Sequence, residues 1–198
     1  MKKKIIITGG LGYIGTELCK LYSGVSWHHN ITVIDNRFIS ERVNQIRNWN
    51  MEFIQGDILN KSLVRNLFSD ADVVHHLAGV TDVPRTKSES SLVQDEKIKE
   101  VAEKGTQNIL EIISDKCKII FPSTHVVYEG INVVKTDIKE NETTKPVLSY
   151  ASSKAVNENQ LKKSGKNFVI LRLGSVYGYS TDSMRIDIMP NLFSKISS

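Results

Sequence analysis

An α/β fold built on a doubly wound parallel sheet is predicted by three features of this 198-residue chain. Short runs rich in Ile and Val alternate with longer amphipathic stretches, the rhythm of strand–helix–strand repeats. The runs are almost continuously apolar, as strands covered on both faces read. A glycine-rich turn, Gly9-x-x-Gly12-x-x-Gly15, joins the first run to the first helical stretch. Right-handed crossovers between such units give an open sheet of the Rossmann type.

The predicted strands cover residues 5–7, 31–34, 51–54, 73–77, 118–121 and 168–173. Between them, helical patterning covers 13–22, 41–49, 62–68, 91–114 and 149–163. Ser40 and Asn60 stand where helix N-caps belong. Residues 129–148 break the rhythm with Glu129-Gly130, a Thr-Thr pair and Pro146. They read as a long excursion loop, and such loops often border active sites.

Composition narrows the class. The chain is 24% charged and 40% hydrophobic, and at this size roughly 70% of the unfolded surface can be buried without disulfide staples. No run approaches the ~20 apolar residues of a membrane span. The formal net charge of +4 is mild, and no basic face with interleaved aromatics suggests nucleic acid. Lys2-Lys3-Lys4 reads as a solvated, frayed end. Cys19 and Cys117 lie in no metal-ligand or redox spacing and read as free thiols. With no signal-peptide pattern at the start, a cytoplasmic location is expected.

The glycine turn carries the first chemical reading. Gly9 allows a tight turn, Gly12 lets the backbone approach a pyrophosphate, and Gly15 lets the helix pack against the strand. Tyr13 and Ile14 open that helix, whose N-terminus favours phosphate. Asp35 ends the second strand about 20 residues past Gly15, where a carboxylate accepts from the adenosine ribose hydroxyls. It disfavours a 2′-phosphate, so NAD is the expected cofactor, although Arg37 stands close by and arginine serves 2′-phosphates. Asn36 adjoins Asp35. Asp57-Ile58 follow the third strand, where the carboxylate could meet the adenine amino group, and Gly56-Asp57 also reads as a turn. Leu77-Ala78-Gly79 follow the fourth strand, where small residues let backbone face the cofactor. His75 and His76 point to opposite faces and read as packing residues.

The second reading comes from Tyr150-Ala151-Ser152-Ser153-Lys154. Spacing of i, i+4 puts Tyr150 and Lys154 on one helix face. A nearby ammonium favours phenolate, so Tyr150 is expected to titrate lower than usual and to act as acid or base on a hydroxyl or carbonyl. Lys154 can also hold the nicotinamide ribose. Thr124, after the fifth strand, is the candidate to hydrogen-bond the reacting oxygen. Ser123 and His125 read as structural neighbours.

Together these residues resemble the extended short-chain dehydrogenase/reductase family, in its NAD-dependent epimerase/dehydratase branch acting on nucleotide sugars. The resemblance also rests on Gly105-Thr106, Asn108-Ile109-Leu110, Val127-Tyr128 and residues 172–178, in the family's order. It implies that Tyr150 moves a sugar hydroxyl proton, that Thr124 is the catalytic Ser/Thr, and that Lys154 tunes Tyr150. It further implies substrate contact at Ser175, at Asn191 and along 183–187. A homodimer through the helices at 91–114 and 149–163, forming a four-helix bundle, is a further implication.

Some positions depart from the family pattern. His125-Val126 stand where the family's dehydratases carry Asp-Glu. Ser175 replaces a frequent Asn, Ala102 stands where Asn is frequent, and Glu129 displaces Gly130 by one place. A 4-epimerase is therefore the leading expectation. A reductase or dehydrogenase with net cofactor turnover and a non-catalytic NAD-binding module are the alternatives. Residues 1–178 read as the cofactor domain, and 179–198 as the start of a substrate lobe that is truncated or natively absent.

Overall fold

The computed structural model describes residues 2–80, 89–180 and 183–197. Six strands form one sheet: β1 (Lys4–Thr8), β2 (Asn30–Asp35), β3 (Glu52–Gln55), β4 (Val73–His76), β5 (Lys118–Thr124) and β6 (Asn167–Leu173). Their order is β3-β2-β1-β4-β5-β6, and every neighbouring pair is parallel. The helices are α1 (Tyr13–Ser23), α2 (Ser40–Asn48), α3 (Lys61–Phe68), α4 (Leu92–Ile112), α5 (Ser149–Lys163) and α6 (Met189–Ile196). Short 3-10 turns occupy Ser26–His28 and His125–Tyr128.

The isoleucines of β1 show why the sheet is wound on both sides. Successive strand side chains alternate faces. Ile5 and Ile7 pack with Leu11, Cys19, Val33, Val43 and Ile46 beneath α1 and α2. Ile6 joins Val64, Phe68, Ile109, Phe121 and Leu161 beneath α3, α4 and α5. The expected burial on both faces holds for the central strands. It fails for β3 and β6, which contain no fully buried residue, because each is an edge of the sheet.

Local signals mostly fall where expected. Asn60 caps α3, its side chain accepting from Leu63 N. Ser40 is instead the first helical residue of α2, and Ile39 holds the cap position without a side-chain bond. Lys4 is no frayed end: its backbone N donates to Asp72 at 2.7 Å, and its ammonium pairs with Asp70. Both cysteines are buried free thiols. Burial raises Cys19 to about 12 and Cys117 to about 11. Among the described residues, no helix is long and apolar enough to cross a membrane, and no cluster of His, Cys, Asp and Glu could hold a metal.

The sheet topology makes the groove. The chain builds β1-β2-β3 outward in one direction and then places β4 on the other side of β1. A crevice opens at the carboxyl ends where that order reverses. It widens further on because β4 pairs β5 only from Val73↔Lys118 to His75↔Ile120. β5 continues beside β6 to Thr124↔Leu173.

Phe68 is completely buried in the core beneath α3, α4 and α5. Phe68→Ala is expected to lower unfolding free energy by about 3–5 kcal/mol, read from denaturant melts.

Candidate active site

A groove of about 490 Å³ runs along the carboxyl ends of the strands. One end is the glycine turn. Gly9 has φ +68°, and a Cβ there would stand 2.8 Å from Ala78 N, so only glycine lets the turn press against the chain after β4. Gly15 is equally constrained: its Cβ would lie 2.3 Å from the Gly9 carbonyl. Gly9, Gly12, Tyr13, Ile14, Asn36, Ile58, Leu77, Ala78 and Gly79 all line the groove. A Cβ on Gly79 would meet nothing within 4 Å. Backbone is thus open to the groove at Gly79 and beside the start of α1, a cradle that fits a pyrophosphate.

The loop after β4 is held from below. Ala78 N donates to Thr8 Oγ1 at 3.0 Å. Thr8 in turn lies 3.1 Å from His76 Nδ1, and His76 Nε2 lies 3.0 Å from Thr106 Oγ1. Each ring nitrogen of His76 thus meets a hydroxyl, so the neutral imidazole can donate on one side and accept on the other. Burial pushes His76 down to about 3, keeping it neutral. His75 faces the opposite side, 2.8 Å from the Tyr22 hydroxyl. The histidines are packing and hydrogen-bonding residues, as their alternation implied.

Asp35 lies at the floor of the groove, 5% exposed. Its Oδ1 accepts from Arg37 N and Nε at 3.0 and 3.1 Å. Its Oδ2 accepts from Leu11 N at 3.0 Å and Arg37 Nη2 at 3.3 Å. Four donors fill the roughly four acceptor positions of a carboxylate. A ribose therefore engages Asp35 only by displacing the Arg37 guanidinium, whose side chain is 54% exposed. Asp57 also lines the groove, but its Oδ1 accepts from Leu59 N at 2.9 Å. The turn role weighed for Asp57 is thus present.

At the other end, Thr124, Tyr150 and Lys154 line the groove together. Thr124 ends β5, and its hydroxyl caps the following 3-10 turn by accepting from Val126 N at 3.3 Å. Lys154 donates to the Pro122 carbonyl at 2.8 Å. Its ammonium lies 4.5 Å from the Phe121 ring centroid and 5.8 Å from that of Tyr150. Burial lowers Lys154 to about 8. Burial also raises Tyr150 above its ordinary value, partly opposed by the positive charge of Arg185. The expected lowering of Tyr150 by Lys154 is therefore not what the geometry gives. The ammonium is turned to a backbone carbonyl, and desolvation of the phenol dominates.

Two of the expected substrate contacts, Ser175 and Asn191, do not line the groove. Ser175 is exposed and lies outside the groove wall, which Gly174 and Val176 form on either side. Asn191 is 2% exposed and spends its amide on the chain itself. Its Oδ1 accepts from Gly178 N at 2.8 Å. Its Nδ2 donates to the Arg185 carbonyl at 2.8 Å and to Tyr13 Oη at 3.4 Å. Tyr13 donates to the Gly178 carbonyl at 2.5 Å. Asn191 and Tyr13 thus latch the tail to the start of α1 and bring Arg185 and Ile188 to the groove. Lys97 and Val101 on α4 also line it without having been singled out, although their i, i+4 spacing puts them on one helix face. The loop 129–148 contributes no residue to the groove. Lys145 N instead ties it to the Val127 carbonyl, and Gly130 N closes the loop on itself by donating to the Lys145 carbonyl.

Comparison with known proteins identifies the family. The family model for the NAD dependent epimerase/dehydratase family matches residues 5–198, and the chain belongs to that family. A UDP-N-acetyl-alpha-D-glucosaminuronate decarboxylase from Bacillus cytotoxicus is 32% identical over 186 residues, covering 90% of this chain and 56% of the relative. A UDP-glucose 4-epimerase from Neisseria meningitidis serogroup C is 30% identical over 172 residues, covering 80% of this chain and 47% of the relative. The Bordetella bronchiseptica enzyme WbmH, solved in complex with NAD+, superposes with a TM-score of 0.78 at 26% identity, covering 100% of this chain and 63% of that one. The chain spans about half the length of the curated relatives it matches.

The neutral His76 sets an acid-side sensitivity. The unfolded state takes up a proton near 6.5 and the folded state only near about 3. Stability is therefore lost as pH falls through that window, by up to about 1.4 kcal/mol per pH unit. His76→Gln is expected to flatten this part of the stability–pH curve relative to wild type. For the tail latch, Asn191→Ala removes hydrogen bonds worth about 1 kcal/mol each. Limited proteolysis is expected to cut within 183–197 about tenfold faster, with the sheet intact.

Proposed function

We propose that this chain binds NAD in the groove and acts on a nucleotide sugar as a 4-epimerase, with Tyr150 as the acid/base. One observation carries the reading. Thr124, Tyr150 and Lys154 share a groove with the glycine cradle and Asp35, at the switch point of the sheet. A family membership founded on NAD-dependent enzymes supports it, as does the 4-epimerase among the relatives. His125-Val126, standing after Thr124 in place of an acidic pair, favour epimerisation over dehydration.

The chain's residues divide the work. The Gly9–Gly15 turn and Gly79 hold the pyrophosphate, and Asp35 takes the adenosine ribose once Arg37 has swung away. When bound, NAD reversibly accepts a hydride at its nicotinamide ring. Lys154 turns from Pro122 to the nicotinamide ribose and brings its ammonium towards the phenol, offsetting the burial that holds Tyr150 neutral. Tyr150 then takes the proton of the sugar's 4-hydroxyl as that carbon is oxidised, and returns it when the ketone is reduced from the opposite face. Thr124 hydrogen-bonds the reacting oxygen. Arg185, held by the latch and already paired with Asp187, turns its guanidinium to the diphosphate.

A homodimer through α4 and α5 belongs to the same reading. The two helices pack side by side, with Asn157 Nδ2 donating to the Ala102 carbonyl at 3.0 Å and Gln160 Nε2 to that of Glu103 at 3.1 Å. Leu92, Val93 and Val156 remain exposed on them. Sedimentation as a monomer would remove this part.

Two measurements test the reading. In the first, NAD is added in calorimetry and UDP-, GDP- and dTDP-sugars are then offered to the complex. A transient reduced-nicotinamide absorbance is expected, and none with any sugar would count against a catalytic role. Tyr150→Phe should keep NAD affinity and lower turnover about 10²–10⁴-fold. In the second, NAD affinity is followed against pH. It should weaken as pH rises through about 8, because the Lys154 donor loses its charge, and Lys154→Met should abolish that dependence.

A further inference from the structure

The helix that carries Tyr150 is poorly fixed by apolar packing. The buried residues of α5 are Ala151, Ser153, Ala155, Asn157, Glu158 and Leu161, of which only Leu161 is a large apolar side chain. Small residues allow close approach to the sheet but offer few knobs to resist sliding or rotation. A site that works over hydrogen-bond distances needs a tighter constraint.

Glu158 supplies one. It lies on the same face as Tyr150 and Lys154, one turn further along, and is 1% exposed. Its Oε1 accepts from Ser123 Oγ at 2.6 Å and from Arg172 Nε at 2.9 Å. Its Oε2 accepts from Arg172 Nη2 at 2.6 Å, with Lys162 Nζ 3.5 Å away. Ser123 directly precedes Thr124 on β5, and Pro122 before it takes the Lys154 ammonium. Consecutive positions of β5 are therefore tied to successive turns of α5. The Arg172 guanidinium reaches further. It bonds the Tyr128 hydroxyl, lies 5.1 Å from that ring, and donates to the Glu140 carbonyl at 2.9 Å. At the start of the helix, Glu129 Oε1 accepts from Val147 N and Leu148 N at 2.7 and 2.8 Å.

We propose that the Glu158–Arg172 pair is a positioning device that holds Tyr150 and Lys154 in register with Thr124, with Ser123 as its link to the strand. A buried ion pair is a weak source of stability compared with apolar packing. A bidentate arginine fork, however, fixes distance and angle together, which a lysine or an apolar contact does not. The proposal rests on the reading of Tyr150 as the reacting acid/base, but it is tested without turnover.

The experiment uses Arg172→Lys, which keeps the charge and loses the fork, and Ser123→Ala, which leaves the ion pair and cuts the link to β5. The full chain is labelled at its tyrosine rings, and the Tyr150 signal is assigned by its loss in Tyr150→Phe. Wild type should show Tyr150 titrating above the ordinary tyrosine value, as its burial dictates. In both variants the Tyr150 signal should shift in the folded protein, and its midpoint should fall by about half a pH unit or more as the loosened helix admits water. A purely structural role would lower the unfolding midpoint and leave the Tyr150 titration of the folded protein unchanged. That result in Arg172→Lys overturns the proposal, and if Arg172→Lys fails to fold, the same result in Ser123→Ala does so. If Tyr150→Phe retains turnover while these shifts occur, the acid/base reading fails and the positioning role stands.

Discussion

The reversal of strand order at β1 is the constraint on which the rest of the molecule depends. β1 sits between β2 and β4 and sends Ile5 and Ile7 to one helical layer and Ile6 to the other. Because both flanks are taken, the chain leaving Thr8 can only turn upward, through Gly9 at φ +68°. That turn aims α1 at the crevice, and the hydrogen-bonded series Ala78–Thr8–His76–Thr106 ties the next loop, the carboxyl end of β1 and α4 into one support. The cradle is rigid because a packed isoleucine strand, rather than a loop, lies beneath it.

Charge is distributed along the groove in a consistent way. Each buried ionisable group has a partner that can be exchanged for a ligand or one that cannot. Asp35 has Arg37, an exposed side chain that can leave. Among the described residues, Lys154 meets a backbone carbonyl and the Phe121 and Tyr150 rings, and burial has already weakened its hold on its proton. Glu158 differs. Burial pushes its carboxyl up, yet hydrogen bonds from Arg172 and Ser123 and the charge of Arg172 hold it below the ordinary range. The exchangeable pairs line the groove, while Glu158 and Arg172 stand outside it.

Much of this was legible in the sequence because it is repetitive or short-range. The apolar runs marked all six strands to within a few residues, the glycine spacing marked the cradle, and Asn60 marked its helix cap. The i, i+4 spacing placed Tyr150 and Lys154 on one face, which they share. What the sequence did not disclose depends on direction or on partners far along the chain. The orientation of the Lys154 ammonium is set by Pro122 on another element, so the electrostatics of Tyr150 could not be inferred from spacing. Nothing local reveals that Gly178, Arg185 and Tyr13 take up the Asn191 amide, since those partners come from separate segments. Ser40 missed its cap by one residue because helix starts are decided by backbone angles as well as by side-chain type.

Pro122 connects several of these features. A proline within a strand is normally a fault, since it offers no N–H to the ladder. Here it falls beyond His75↔Ile120, the last pair joining β4 to β5. An ordinary residue at that position would present both a donor and an acceptor at the fork beyond the last pair. Pro122 brings no N–H to this fork, and its carbonyl receives the Lys154 ammonium. At the floor of the groove the backbone thus offers an acceptor without the donor that ordinarily accompanies it, and a buried cation takes it up.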